Sequence, residues 1–245
     1  MSFLLFDAYG TLAELDDFYN RLQRGFAARG FDFPMDVVTH AAHREMRYYI
    51  QHSLRAHQND EYVTLRAECA GIIADTIREH GHELPLSTDD VIEVLSDAIV
   101  FHLFPETRET LQALHERGVR MGVLSNWDYQ LSGILEDLGI AHFFDFVLSS
   151  AGVGYEKPAP EFFALGLEEI RKVQPNIALS DCYYIGDHYE KDVIPARAAG
   201  ITPLWLVRDA RDVASGETHS ADAPVQRLNS LGDLLPLFAP VETSL

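Results

Sequence analysis

The stretch Phe3-Leu4-Leu5-Phe6-Asp7-Ala8-Tyr9-Gly10-Thr11-Leu12 is an apolar run that stops on a carboxylate and breaks at once into a Gly-Thr turn. Such a run reads as a buried strand whose acid sits at the carboxyl end, where open α/β sheets place their ligands. Taken alone, Asp7 is equally well a turn cap. Three later segments bear on that choice: Val123-Leu124-Ser125-Asn126, Glu156-Lys157-Pro158, and Tyr184-Ile185-Gly186-Asp187-His188-Tyr189-Glu190-Lys191-Asp192. Two of them also follow apolar, strand-like runs.

Strand-like runs at 2–6, 120–125, 144–149, 182–186 and 203–207 have helical stretches between the later ones, which predicts an α/β fold: a Rossmann-like parallel sheet flanked by helices. Residues 13–104 differ. They show helical spacing throughout, as at Phe18, Leu22, Phe26 and at Val91, Val94, Leu95, Ala98, with no convincing strand. Breaks near 30–34, 59–60 and 80–87 divide this segment into about four helices, with Ser87 as an N-cap. The domain reading is therefore a Rossmann-like core from 1–12 and 105–245, with an inserted helical bundle at 13–104. Residues 209–224 read as a polar loop, and 241–245 as a fraying end.

Composition narrows the partners. Thirty-eight acidic residues against 19 basic ones give a formal net charge of −19, which repels nucleic acid and anionic membrane surfaces. Small phosphorylated anions remain open where local Lys and backbone N–H groups outweigh the overall field. Cys69 and Cys182 lack metal or disulfide spacing and read as buried thiols. No targeting segment or membrane-length apolar run is visible, which points to a reducing, cytoplasmic setting. Oligomeric state is open.

The four segments, in this order, resemble the motifs of the haloacid dehalogenase superfamily of hydrolases, over nearly the whole chain from residue 3 to about 208. The stretches 130–148 and 186–200 look like one particular branch of it. The resemblance implies that Asp7 is a nucleophile forming an aspartyl intermediate. Thr11, Ser125 and Lys157 would hold the transferring group, with Asn126 beside them. The helical insertion resembles the cap of the first structural subclass, which closes over the strand ends. Metal ligands implied by the family are Asp7, Asp187 and the backbone carbonyl of Tyr9, with Asp192 behind them or capping its helix. Converging carboxylates repel unless a cation lies between them, and hard oxygen donors suit Mg²⁺.

Tyr9 departs from the phosphatases of the superfamily, where a second Asp usually supplies the general acid and base. A phenol with an ordinary pKa of about 10 is a poor base for water at neutral pH. Haloacid dehalogenases often read Asp-x-Tyr-Gly-Thr-Leu, as here, and halide leaves without needing a proton. They typically lack the Gly-Asp of 186–187, however. Expectations thus stand as a Mg²⁺-dependent phosphatase for a small phosphorylated molecule, with a metal-independent 2-haloacid dehalogenase and a nearly inactive ligand-binding or protein-binding member as alternatives. On the insertion, Arg44 lies at a place roughly comparable to a substrate-binding Arg of the dehalogenases, and shares a helix face with Tyr48. Solvated helix surface is the competing explanation.

Overall fold

The computed structural model describes residues 2–208 and 224–239. In chain order, strand β1 (Phe3–Phe6) and the short β2 (Ala13–Leu15) precede four helices, α1 (Phe18–Ala27), α2 (Met35–His52), α3 (Asn59–Glu79) and α4 (Thr88–Ala98). There follow β3 (Phe101–Leu103), α5 (Thr107–Glu116), β4 (Arg120–Ser125), α6 (Leu131–Asp137), β5 (Val147–Ser149), α7 (Ser150–Val153) and α8 (Pro160–Val173). The rest comprises β6 (Cys182–Gly186), a wide helical turn at Tyr189–Val193, α9 (Ile194–Ala198), β7 (Thr202–Leu206), β8 (Gln226–Leu228) and a closing helical turn, Leu234–Leu237. Two compact units result, one formed by the residues up to Glu14 with those from Leu103 onward, the other by Leu15–His102.

The first unit is built on a six-stranded sheet of order β5-β4-β1-β6-β7-β8, every pair parallel. All four residues of β1 are fully buried. Strand alternation sends Phe3 and Leu5 to one face, where they pack with Phe162, Phe163, Leu167 and Ile170 of α8, and sends Leu4 and Phe6 to the other. A strand hydrophobic at every position is the mark of a sheet covered on both sides, and each such side chain contributes roughly 1.5–3 kcal/mol of burial. Register matters more for function. Phe6 pairs with Val123 on one side and Ile185 on the other, so the polar residues that follow all three strands emerge at one edge.

The second unit has its own core, with Phe18, Leu22 and Phe26 spaced four apart on α1 against Val91, Val94 and Leu95 of α4. Ser87 starts α4 with a reciprocal capping box: the Asp90 N–H donates to Ser87 Oγ (3.1 Å) and the Ser87 N–H to the Asp90 carboxylate (3.0 Å). Among the described residues no helix is long and apolar enough to cross a membrane. Both cysteines are free and buried.

Several expectations need correction. Segment 13–104 is not free of strands, because β2 and β3 pair as a separate two-stranded sheet at its ends. Three residues are too few to show a period of two. The 144–149 run yields a strand only at Val147–Ser149; ahead of it Phe144 meets Phe6 edge-on and Phe146 stacks on Phe3 (centroids 6.1 and 5.7 Å apart). Strand β8 carries one buried residue, Leu228, and leaves no apolar signal. Of the polar loop read at 209–224, all but Pro224 lies outside the described residues, as does the end at 241–245.

Candidate active site

Asp7 continues the ladder one residue past β1, its N–H donating to the Ile185 carbonyl at 2.9 Å, and its carboxylate is buried. Ser125, ending β4, donates from Oγ to Asp7 Oδ1 at 2.7 Å. Lys157 Nζ lies 2.7 Å from the same oxygen, 2.6 Å from Asp192 Oδ1 and 3.0 Å from the Tyr184 hydroxyl. An ammonium has three N–H donors, so these three partners saturate it. Asp7 Oδ2, in contrast, has no hydrogen-bond partner among the described residues.

Each of these groups is itself held. The Asn126 side-chain amide clasps the backbone of Lys157, donating to its carbonyl (2.9 Å) and accepting its N–H (2.7 Å). Each end of the amide makes one of these bonds, so Asn126 orients Lys157. Tyr184 donates its hydroxyl to the Leu124 carbonyl at 2.8 Å. Asp192, fully buried in the wide turn after β6, takes the His188 N–H on Oδ2 at 2.9 Å while Oδ1 faces Lys157. The Trp205 indole N–H donates to the Asp187 carbonyl at 2.9 Å.

Two glycines create room. Gly10 has φ +79°, and a Cβ there would sit 2.2 Å from Asp187 Oδ2, so the carboxylate lies directly against the backbone of the turn. A Cβ on Gly186 would sit 2.4 Å from Asp192 Cγ. Thr11 is completely buried and its hydroxyl oxygen has no partner among the described residues. Such a group normally finds one, which points to an occupant not belonging to the chain.

The electrostatics are unbalanced. Asp7, Asp187 and Asp192 bring oxygens within 4.8 Å of one another, against one ammonium. Burial pushes the Asp187 carboxyl up to about 8, with Asp7 and Asp192 adding to it and Lys157 only partly opposing. Burial likewise raises Asp192, against the pull of Lys157 and with a push from Asp7. For Lys157, burial alone would lower the pKa, but Asp192 and Asp7 outweigh it and hold the ammonium well above its ordinary value. The ion pair therefore strengthens the charge on Lys157 without restoring Asp192 to its usual range, because burial outweighs the pull of Lys157 and the neighbouring Asp7 adds to it. Three converging carboxylates, two of them buried and one half-buried, with net negative charge and hard oxygen donors fit a divalent cation such as Mg²⁺.

Tyr9 is about half exposed, its ring centroid 6.4 Å from that of Trp127. Arg44, on α2, is ion-paired with Glu79 of α3 inside the helical unit. Tyr48 there donates to Glu68. Tyr184 and Trp205 are not legible as site residues in the sequence, because an aromatic in a buried strand looks like core. The available signal is their polar atom, which must find a partner when buried.

A family model described as haloacid dehalogenase-like hydrolase matches residues 1–200. The chain belongs to that family. It is accordingly a hydrolase with a Rossmann-like α/β fold. It is 29% identical to haloacid dehalogenase-like hydrolase domain-containing protein 3 of Danio rerio over 168 residues, 67% of this chain and 66% of that one. It is 33% identical to the phosphoserine phosphatase of Thermus thermophilus over 113 residues, 45% of this chain and 43% of that one. Both matches span less than two thirds of the relative. Among solved structures, L-2-haloacid dehalogenase from Xanthobacter autotrophicus superposes with a TM-score of 0.65 at 20% identity, covering 96% of each chain, a likeness of fold alone.

Proposed function

We propose that this hydrolase is a Mg²⁺-dependent phosphatase that transfers the phosphoryl group of a small molecule to Asp7 and then to water. The observation that carries the reading is the packing of Asp187 and Asp192 beside Asp7. Three carboxylates whose oxygens converge within 4.8 Å, against a single ammonium, repel one another unless a cation lies between them. Asp7 and Asp187, with the Tyr9 carbonyl, are the groups that would hold Mg²⁺, and Asp192 supports them from behind through Lys157. Bound there, the cation offsets the negative charge of the transferring group.

The chain's own groups divide the remaining work. Ser125 and Lys157 both engage Asp7 Oδ1, which leaves Oδ2 as the attacking oxygen. Its lone pair forms the new O–P bond as the bond to the leaving oxygen breaks, and that oxygen departs with the electron pair. The unpartnered Thr11 hydroxyl is suited to donate to an equatorial phosphoryl oxygen, and the Lys157 ammonium to stabilise its charge. Water then attacks phosphorus, releasing phosphate and freeing Asp7.

Tyr9 favours a second reading, a 2-haloacid dehalogenase, because halide needs no proton and no carboxylic acid occupies that position. The two readings separate in a panel of aryl phosphates, acyl phosphates and 2-haloacids, each with Mg²⁺ or chelator. Phosphate release that requires Mg²⁺ supports the phosphatase. Halide release in chelator, without phosphatase activity in Mg²⁺, overturns it.

A further inference from the structure

Arg208 stands two residues after β7 and about two hundred residues from the turn that follows Asp7, yet its side chain closes on that turn. Nη2 donates to the Thr11 carbonyl at 2.7 Å and Nε to the Gly10 carbonyl at 3.3 Å, so one edge of the guanidinium spans two successive peptide oxygens. Its other end is ion-paired with Glu106, and its Cζ lies 3.6 Å from the centroid of the Phe104 ring. Glu106 in turn accepts the Leu231 N–H at 3.3 Å. Burial would raise the Glu106 carboxyl, but the hydrogen bond and charge of Arg208 hold it below its ordinary value. The guanidinium is thus fixed by the Glu106 carboxylate and the Phe104 ring before it meets the turn.

The next carbonyl is held by a separate device. Leu12 O accepts the Thr107 hydroxyl (3.0 Å) and the Phe104 N–H (3.3 Å). Three consecutive carbonyls of the turn are therefore anchored to the segment 104–107 or to the Arg208 that leans on it. A trans peptide is planar, with its C=O and N–H antiparallel. Holding the Gly10 carbonyl therefore sets the direction of the Thr11 N–H. Holding the Thr11 carbonyl restrains the residue whose buried hydroxyl is unpartnered.

The geometry assigns Arg208 as a positioning residue for the reaction: its planar fork locks the Gly10–Thr11 peptides, and through them the place of Thr11 and of the Tyr9 carbonyl relative to Asp7. A lysine could match the charge but not both carbonyls, since its ammonium lacks the fork. The kinetic part of this inference rests on the phosphatase reading. The ordering of the turn does not.

The test compares the full-length wild type with Arg208→Lys and Glu106→Gln. Hydrogen exchange is followed at the Leu12 and Ala13 amides, which both donate to Ala8 O. In parallel, kcat and KM are measured for p-nitrophenyl phosphate with Mg²⁺. In Arg208→Lys the turn amides should exchange roughly tenfold faster or more, with β4 unchanged. The kcat should fall about 10- to 100-fold, as small misplacements of reacting groups do, with KM moving by less than about threefold. Glu106→Gln, which keeps the fork but removes its counter-charge, should show the same changes more weakly. Unaltered exchange at the turn, faster exchange with kcat unchanged, or exchange rising equally across the sheet each overturns the assignment. Failure of both variants to fold also overturns it, making Arg208 a stability residue. A wild type that turns over no phosphate ester refutes the phosphatase reading instead, and the exchange data still decide whether Arg208 holds the turn.

Discussion

Replacing Gly10 by alanine should separate the geometry of the site from the stability of the fold. Two effects act at that position. The backbone at φ +79° is left-handed, which costs an ordinary residue about 1–2 kcal/mol. In addition, the new methyl would lie 2.2 Å from Asp187 Oδ2 and 2.8 Å from its Cγ. Ordinary carbon contacts are about 3.5 Å, so the carboxylate or the turn must move by roughly 1 Å. Gly30 supplies the control, because it has φ +90° and a methyl added there would meet nothing within 4 Å. Gly30→Ala should thus lose about 1–2 kcal/mol, seen as a fall in Tm of a few degrees, with kcat/KM unchanged. Gly10→Ala should lose at least as much stability and also roughly 100-fold in kcat/KM for an aryl phosphate, the scale of a 1 Å misplacement. Calorimetry and steady-state kinetics on the same preparations read both. If Gly10→Ala kept activity within about threefold of wild type while matching Gly30→Ala in Tm, Asp187 would not depend on its seat against the turn and the reasoning would fail.

Asp7→Asn should abolish turnover with little change in Tm, and activity near wild type in the purified variant would remove Asp7 from the mechanism. Because Tyr9 is a much weaker acid than the carboxylic acid that related phosphatases usually carry at this position, aryl and acyl phosphates should react far faster than alkyl phosphates. Tyr9→Asp should raise alkyl phosphate hydrolysis more than aryl, recovering part of the hundredfold or so that general acid catalysis is typically worth; equal rates for both classes in the wild type would refute this. Glu45, buried in the helical unit against Arg66 and Cys69, has its carboxyl raised by burial, against the pull of Arg66. A raised carboxyl binds its proton more tightly in the folded state, so its contribution to stability declines as pH rises above the ordinary value of 4.5. The Tm of Glu45→Gln should therefore gain on the wild type as pH rises above the ordinary value of 4.5, and a pH-independent difference would contradict the assignment of that shift to burial.

What could be read from sequence followed from how strands end. Asp7, Ser125 and Asp187 were legible because each interrupts or closes an apolar run, and a parallel register brings such positions to one edge. The capping box at Ser87 and Asp90 was legible for its local spacing. Arg208 was not, because nothing near it in sequence hints that its partners are Gly10 and Thr11. Nor was the clasp of the Asn126 amide on the backbone of Lys157, because the two segments are about thirty residues apart. Short strands such as β2, β3 and β8 exist through their pairing, which no three-residue window encodes.

The most direct test of the aspartyl route is to trap it. Protein mixed with an aryl phosphate in Mg²⁺, quenched in acid within a turnover and digested, should carry one phosphoryl group on the peptide containing Asp7, labile to hydroxylamine. The adduct should be absent from Asp7→Asn and from reactions in chelator. Mg²⁺-dependent phosphate release with no such adduct, or with the phosphoryl group on another residue, would contradict the account.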